Sequence, residues 1–163
     1  MIDRKVESYV KNINTYPKTT QYPNIGRVYV FEYLFNQTPD FSSLKNRDEI
    51  KFYYFVPATF VMNVNPKNKT FTGFNLHSVP IFARTKWVEV IRHYVGDPDR
   101  MSAKDLLPLK RLLFSSKNYS MKKVRKFREV PVERWNDLLQ FDANTTFDAT
   151  SGELLAKYLS FIK

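Results

Sequence analysis

The sequence predicts an α+β protein in which a small antiparallel β-barrel is followed by a mainly helical C-terminal half. Between residues 26 and 75, β-branched and aromatic residues recur with a period close to that of a strand, and turn residues separate the runs. After residue 80, apolar residues recur at helical spacing. About four or five strands with antiparallel connections favour an SH3-like barrel first and an OB-like barrel second.

The length of the chain is that of a single domain. A chain of 163 residues buries roughly two-thirds of the surface that it exposes when unfolded, which is enough for one core. We therefore expect one domain over residues 1–163. It would hold an N-terminal helix and extended connector over 1–25, the barrel over 26–80 and the mainly helical part over 81–163.

The N-terminal part begins with an amphipathic pattern. Apolar residues recur at helical spacing over residues 2–13, which predicts a short helix. Pro17 and Pro23 follow, and a residue before proline is pushed out of the α region, so we expect an extended connector here. The run over 27–35 is rich in β-branched and aromatic residues and predicts the first strand.

Further strands are predicted before residue 76. The runs 50–56 and 59–64 have strand composition, and Pro57 between them predicts a bend or a sheet edge because proline lacks a backbone donor. Residues 65–69 have the composition of a turn, and residues 70–75 return as the second arm of a hairpin.

The helical half is predicted from caps as well as from periodicity. Ser78 is a candidate N-cap, Pro80 suits a first helical turn, and Gly96 suits the position after a helix that runs to about residue 94. Further on we expect a short strand over 125–130 and a short helix over 131–139. A terminal helix should follow the capping box that begins at Thr150.

The charge balance indicates an anionic partner. The net charge is +10 and the pI is about 9.7, which favours a nucleic acid first, then a membrane surface or an acidic protein. The plain alternative is a solvated, lysine-rich surface. No apolar run approaches the roughly 18 residues of a membrane span, and the first residues lack the apolar core of a signal peptide. We therefore expect a protein that acts inside a cell, or is assembled there, without a membrane partner.

One segment carries most of the positive charge. Residues 106–128 hold eight basic residues and no acidic one, interleaved with Phe114, Tyr119 and Phe127. Cationic side chains neutralise phosphates, and aromatic rings stack on exposed bases. A solvated basic loop with its rings in the core is the alternative. The candidate nucleic-acid-binding residues are Lys110, Arg111, Lys117, Lys122, Lys123, Arg125, Lys126 and Arg128.

The sequence holds no recognisable catalytic or metal-binding motif. It has no cysteine and only two histidines, His77 and His93, so cysteine-based and histidine-rich metal sites are excluded. There is no glycine-rich phosphate loop and no HExxH. His77 lies between apolar residues and is more typical of a structural histidine than of a general base. We therefore expect no enzyme activity and no cofactor.

Residues 73–80 carry a resemblance to a known family. Gly73, Asn75, Leu76, His77 and Pro80, with an arginine at position 84, form the pattern G-x-N-L-H-x-x-P…R, which resembles a signature of small proteins of tailed bacteriophages. The resemblance covers about residues 26–141 in pattern. It implies a phage setting, either as a DNA end protector used during packaging or as a virion structural protein, and it carries over no catalytic residue. We expect a structural junction between a strand and a helix, formed by Gly73, Asn75, His77, Pro80 and Arg84.

Three functions follow from these observations as expectations. The first is a non-enzymatic bacteriophage protein that binds DNA or lies next to it in the virion, in the host cytoplasm during assembly and then in the particle. The second is a virion structural protein of the neck, tail or baseplate that contacts other virion proteins. The third, a toxin-type endoribonuclease, rests on the likeness of Gly26, Val28 and Tyr29 to the first strand of such SH3-like barrels.

Overall fold

The computed structural model describes residues 4–19, 22–35, 56–78, 85, 88–89, 92–93 and 116–139. Helix α1 spans Arg4–Thr15, and three 3₁₀ segments span Leu76–Ser78, Met121–Lys123 and Val132–Leu139. Thr85, Val88, Glu89 and Arg92 are also helical. The strands are β1 (Val28–Tyr33), β2 (Ala58–Asn65), β3 (Thr70–Asn75), β4 (Ser116–Ser120) and β5 (Val124–Val130).

The five strands form one antiparallel sheet in the order β4-β3-β2-β1-β5. A tight turn joins β2 to β3, and the side chain of Asn65 accepts a hydrogen bond from the backbone N–H of Asn68 at 3.1 Å. Lys69 closes this turn in the left-handed region, with φ of 54°. Asparagine at the start of a turn accepts such bonds readily, so this turn follows from its composition.

The sheet is strongly curled. Phe31 on β1 and Tyr119 on β4 are separated by three strand spacings, which is about 14 Å in a flat sheet. Their ring centroids nevertheless lie 5.2 Å apart. The hydroxyl of Tyr33 also accepts a hydrogen bond from the backbone N–H of Ser120 at 3.0 Å. The curl therefore brings side chains of distant strands together on the inner face.

The inner face of the curl is filled mainly by aromatic rings. Phe31 is its centre, because its ring meets those of Phe71, Tyr119 and Phe127 at centroid distances between 5.2 and 5.7 Å. Such edge-on and tilted pairs stabilise a core beyond the area that they bury. The buried members of this inner core are Tyr29, Phe31, Tyr33, Val61, Phe71, Tyr119 and Phe127.

The outer face of the sheet packs against the segments that flank it. Trp135 of the last 3₁₀ helix is fully buried here, and its indole N–H donates to the carbonyl of Val130 at 3.1 Å. Strand residues that alternate with the inner rings contribute to this core together with residues of the flanking segments. Its buried members are Tyr16, Val28, Val30, Ala58, Phe60, Phe74, Leu76, Val88, Val130, Trp135 and Leu138.

Helix α1 is held to the sheet by the residues that follow it. The hydroxyl of Tyr16 donates to Asp137 at 2.8 Å, and Arg134 donates to the same carboxylate at 2.8 Å. Burial first, and the hydrogen bond to Asp137 second, raise the pKa of Tyr16 well above its usual value. The backbone N–H of Thr19 donates to Phe127, so the chain after α1 lies along the outer edge of β5.

The predicted fold class is wrong in two respects. The sheet is open rather than an SH3-like or OB-like barrel, because β4 and β5 form no ladder with each other and the 3₁₀ turn between them bonds elsewhere. The C-terminal half is not mainly α-helical where it is described, since residues 116–139 supply two of the five strands and two 3₁₀ segments. Among the residues that the structure describes, α1 is the one complete α-helix of seven residues or more.

Individual elements agree better with their predicted positions. α1 begins and ends two residues later than the predicted helix over 2–13, and β3 coincides with the predicted arm over 70–75. β5 begins one residue before the strand predicted over 125–130. The predicted strand over 50–56 lies almost entirely outside the described residues, as do Pro80, Gly96 and the terminal helix after Thr150.

Candidate nucleic-acid interface

The predicted basic residues lie in three structural settings. Lys117 lies on β4, and Lys122 and Lys123 form most of the 3₁₀ turn that spans Met121–Lys123. Arg125, Lys126 and Arg128 lie on β5. Lys110 and Arg111 lie outside the described residues. The side chains thus differ in exposure and in partners, and their contacts decide which of them can meet a phosphate.

The curl of the sheet adds two lysines that the sequence does not associate with this segment. The backbone N–H of Met121 donates to the carbonyl of Lys69 at 2.9 Å, so the β2–β3 turn lies against the 3₁₀ turn. Lys67 and Lys69 are exposed on that turn, as is Lys122 beside it. We call this surface the basic corner, and it consists of Lys67, Lys69, Lys122, Lys123, Arg125 and Lys126.

The basic corner also touches the end of β1. The backbone N–H of Leu34 donates to the carbonyl of Lys123 at 3.1 Å. Leu34 is 48% exposed, which makes it the most exposed large apolar side chain among the described residues. The corner therefore combines cations from the β2–β3 turn, the 3₁₀ turn and β5 with one apolar side chain.

Most cations of the corner are not neutralised by the protein. Lys67, Lys69, Lys122 and Arg125 form no ion pair with any residue in the described ranges. Exposed, unpaired cations keep their charge available for an outside anion, and the low salt of a test buffer strengthens the attraction. This arrangement can bind phosphate oxygens.

Lys126 differs from its neighbours because it has an internal partner. A β-bulge on β5 places one extra residue opposite β1 between the pairs Val30–Arg128 and Glu32–Arg125. Lys126 adopts a left-handed conformation there, with φ of 52°, which costs a residue with a side chain roughly 1–2 kcal/mol. Its ammonium lies 2.7 Å from the carboxylate of Glu32.

The guanidinium of Arg128 is hydrogen-bonded to the backbone of the protein. Its guanidinium donates to the carbonyl of Tyr16 at 2.6 Å and to that of Asn14 at 3.4 Å. The last carbonyls of a helix lack partners within the helix and attract a cation. Arg128 therefore secures the C-terminal end of α1, and it is a poor candidate for contacting phosphate.

Lys117 lies beside Phe35, which packs against the aromatic inner core, and it is not part of the basic corner. Its ammonium lies 4.1 Å from the ring centroid of Phe35, in a cation–π contact. Burial lowers the pKa of Lys117 to about 8, against an ordinary value of 10.5. Two aromatic residues of the basic segment, Tyr119 and Phe127, are buried in the inner core, and Phe114 lies outside the described residues. The expected stacking of bases on these rings is therefore not available in this structure.

The residues of the predicted junction lie at the end of β3. A Cβ atom at Gly73 would lie 2.2 Å from the carbonyl oxygen of Phe60, so β2 approaches too closely for any side chain. The side chain of Asn75 accepts a hydrogen bond from the backbone N–H of His77 at 3.1 Å, and both residues are buried. Pro80 and Arg84 lie outside the described residues. The position of these atoms suits the architecture of the turn rather than contact with a ligand.

Other kinds of site find little support in the part of the chain that is described. No group of three or more acidic or histidine side chains in these ranges could hold a metal ion. An open groove of about 490 Å³ is lined by Pro23, Asn24, Ile25, Arg27 and Val64. No described helix is long and apolar enough to cross a membrane.

Comparisons of this chain with models of protein families, with curated proteins and with solved structures find no match. The resemblance of residues 73–84 to a bacteriophage signature therefore stays a prediction.

Proposed function

We propose that this protein binds the phosphate backbone of nucleic acid through the basic corner, without catalysing a reaction. The observation that carries the proposal is the hydrogen bond between Met121 and Lys69, which unites two lysine-bearing turns from distant parts of the chain. Lysine ammonium groups act as point charges toward phosphates and carry no base-specific geometry. Binding is therefore expected to be independent of sequence.

The charge of the corner sets the expected salt dependence. If Lys67, Lys69, Lys122, Lys123 and Arg125 each contact one phosphate of duplex DNA, log K falls with log salt with a slope of about −4.5. A slope of this size distinguishes phosphate contacts from apolar association, which salt does not weaken in this way. Retention of a mixed-sequence duplex at several salt concentrations measures the slope directly.

The setting that we propose is the bacteriophage particle. The resemblance of residues 73–84 supports it, with DNA end protection, packaging or assembly as the roles that the family implies. Under this proposal the protein acts in the host cytoplasm during assembly and then in the virion, beside DNA and other virion proteins. The endoribonuclease alternative loses its basis, because it relied on an SH3-like barrel.

Two charge-reversal variants test the proposal. Lys67→Glu with Lys69→Glu should lower duplex affinity by about tenfold or more and flatten the salt slope by about 1.8, because two phosphate contacts are lost. Reversal of Lys122, Lys123, Arg125 and Lys126 should abolish retention. The matched comparison is between Lys67→Glu and Lys11→Glu, each of which reverses one exposed lysine, because Lys11 lies on α1 and outside the corner.

Equal loss of affinity in Lys11→Glu and Lys67→Glu would show that net charge, rather than the corner, governs binding. Unaltered retention by both corner variants would refute the proposal. Co-sedimentation of the protein with nuclease-treated particles, without DNA binding, would favour the second function, in which the corner faces acidic proteins of the virion.

A further inference from the structure

We propose that Glu32 competes with phosphate for Lys126 on β5, so that it limits how tightly the basic corner holds nucleic acid. Phosphate would replace the Glu32 carboxylate on Lys126 when the complex forms. This inference rests on the proposed function of the corner, and it assigns to Glu32 the control of its affinity.

The β-bulge is what brings Lys126 to this carboxylate. Arg125 lies directly opposite Glu32 in the β1–β5 register, at the distance where cross-strand side chains of opposite charge attract. Lys126 is the residue next in sequence, and in a regular strand its side chain would point to the other face. The left-handed backbone at Lys126 instead leaves the side chain exposed, with its ammonium on Glu32.

The exposure of the pair suits an exchange of partners. The side chains of Lys126 and Glu32 are 73% and 40% exposed, so water and outside anions reach both of them. An exposed ion pair is weak, and little free energy is needed to open it. A buried pair would resist exchange, whereas this pair can release Lys126 to a phosphate.

Glu32 is well placed to oppose an approaching nucleic acid. Its carboxylate forms an ion pair with Lys126, a residue of the basic corner. Its charge repels phosphates and also holds Lys126 in an ion pair. Removing that charge should therefore raise affinity and add about one phosphate contact.

The test is a double-mutant cycle with Glu32→Gln and Lys126→Gly, read out by retention of a mixed-sequence duplex across salt concentrations. Glu32→Gln should bind about two- to fivefold more tightly, and its salt slope should steepen by about 0.9 for each added phosphate. Lys126→Gly should bind more weakly. In the Lys126→Gly background, the gain from Glu32→Gln should shrink, because the paired cation is gone and only the repulsion between Glu32 and phosphate remains to be removed.

Two controls test whether the variants change folding or only the local charge. Glycine adopts the left-handed conformation without strain, so Lys126→Gly should melt at the same temperature as the parent or higher. Glu129→Gln is the matched charge control, since Glu129 lies on the same sheet 4.0 Å from Arg27 and is similarly exposed. It should raise affinity less than Glu32→Gln does.

The outcomes separate this inference from the proposed function. If the parent retains DNA with a steep salt slope but Glu32→Gln binds no more tightly, the inference fails and the proposed function stands. The inference also fails if Glu129→Gln has the same effect, or if the gain is undiminished in the Lys126→Gly background. If the parent retains no DNA at any salt concentration, the proposed function fails and the inference fails with it.

Discussion

Lys117 illustrates how the same residue type takes different roles within one basic segment. It lies two residues before Tyr119 on β4, and its ammonium packs over the ring of Phe35. Because water is partly excluded there, the charged form is disfavoured and the pKa falls to about 8. Lys122, on the neighbouring 3₁₀ turn, is exposed. The two lysines differ in burial although only five positions separate them.

The lowered pKa predicts a pH dependence of stability. The unfolded chain has an ordinary lysine pKa of 10.5, so between about pH 8 and 10.5 the unfolded state holds more protons at Lys117 than the folded state does. The contribution of Lys117 to the free energy of unfolding should therefore rise with pH across this window. Lys117→Met should remove that contribution, as measured by urea denaturation at several pH values.

The exposed Lys122 supplies the control for this measurement. Lys122→Met removes the same charge from the same segment, and it should leave the pH dependence as in the parent. A rising contribution that survives in Lys117→Met would show that another group titrates in this window.

The pairing of β2 with β3 depends on one glycine. Gly73 lies opposite Val61, next to the irregularity between Val61 and Asn63 where β2 has one extra residue. The bulge and the missing side chain together let the backbone of β2 pass within 2.2 Å of where a Cβ would lie. Side chains of any size are excluded from this position.

Gly73→Ala should destabilise the protein by about 3 kcal/mol, because the neighbouring atom is backbone and cannot turn aside. Gly26→Ala is the comparison, since Gly26 has φ of 79° and an alanine in this left-handed conformation costs about 1 kcal/mol. Chemical denaturation of both variants measures the difference. Equal losses would contradict the close approach at Gly73.

β4 shows why one strand escapes prediction while its neighbours do not. Its sequence, residues 116–120, is mostly polar, and Tyr119 is its only large apolar residue. Neither the alternation of apolar residues nor strand propensity is visible there. It is a strand because β3 offers it a ladder and the inner core accepts Tyr119. In β3, by contrast, Phe71 packs in the inner core and Phe74 in the outer core, and both residues favour strands. Composition and pattern therefore predict β3.

At the scale of the whole molecule, the curl of the sheet does two things at once. It packs rings from three other strands around Phe31, and it brings the β2–β3 turn against the 3₁₀ turn that leads into β5. The basic corner is therefore a product of the core. A weaker inner core should loosen the corner as well.

Phe31→Ala should cost about 3–5 kcal/mol of stability, because it removes the ring that the other strands share. Leu34→Ala is the control on the same part of the chain, and it should change stability by less than about 0.5 kcal/mol since Leu34 is exposed. Thermal melts and urea denaturation report both effects. A mild effect of Phe31→Ala would show that the inner face does not hold the sheet together.

Local composition establishes several features of this protein without any structure: the positions of α1, β3 and β5, the turn after β2 and the excess of positive charge. These follow from periodicity, turn chemistry and counting, which act over a few residues. The openness of the sheet, the strand at 116–120 and the membership of the basic corner depend on tertiary structure. Lys67 and Lys122 lie far apart in sequence, and only the curl places their turns together. Burial makes Lys117, and hydrogen bonds to the backbone make Arg128, a poor candidate for contacting phosphate. Long-range packing decides which charges face the solvent, and no local pattern contains that information.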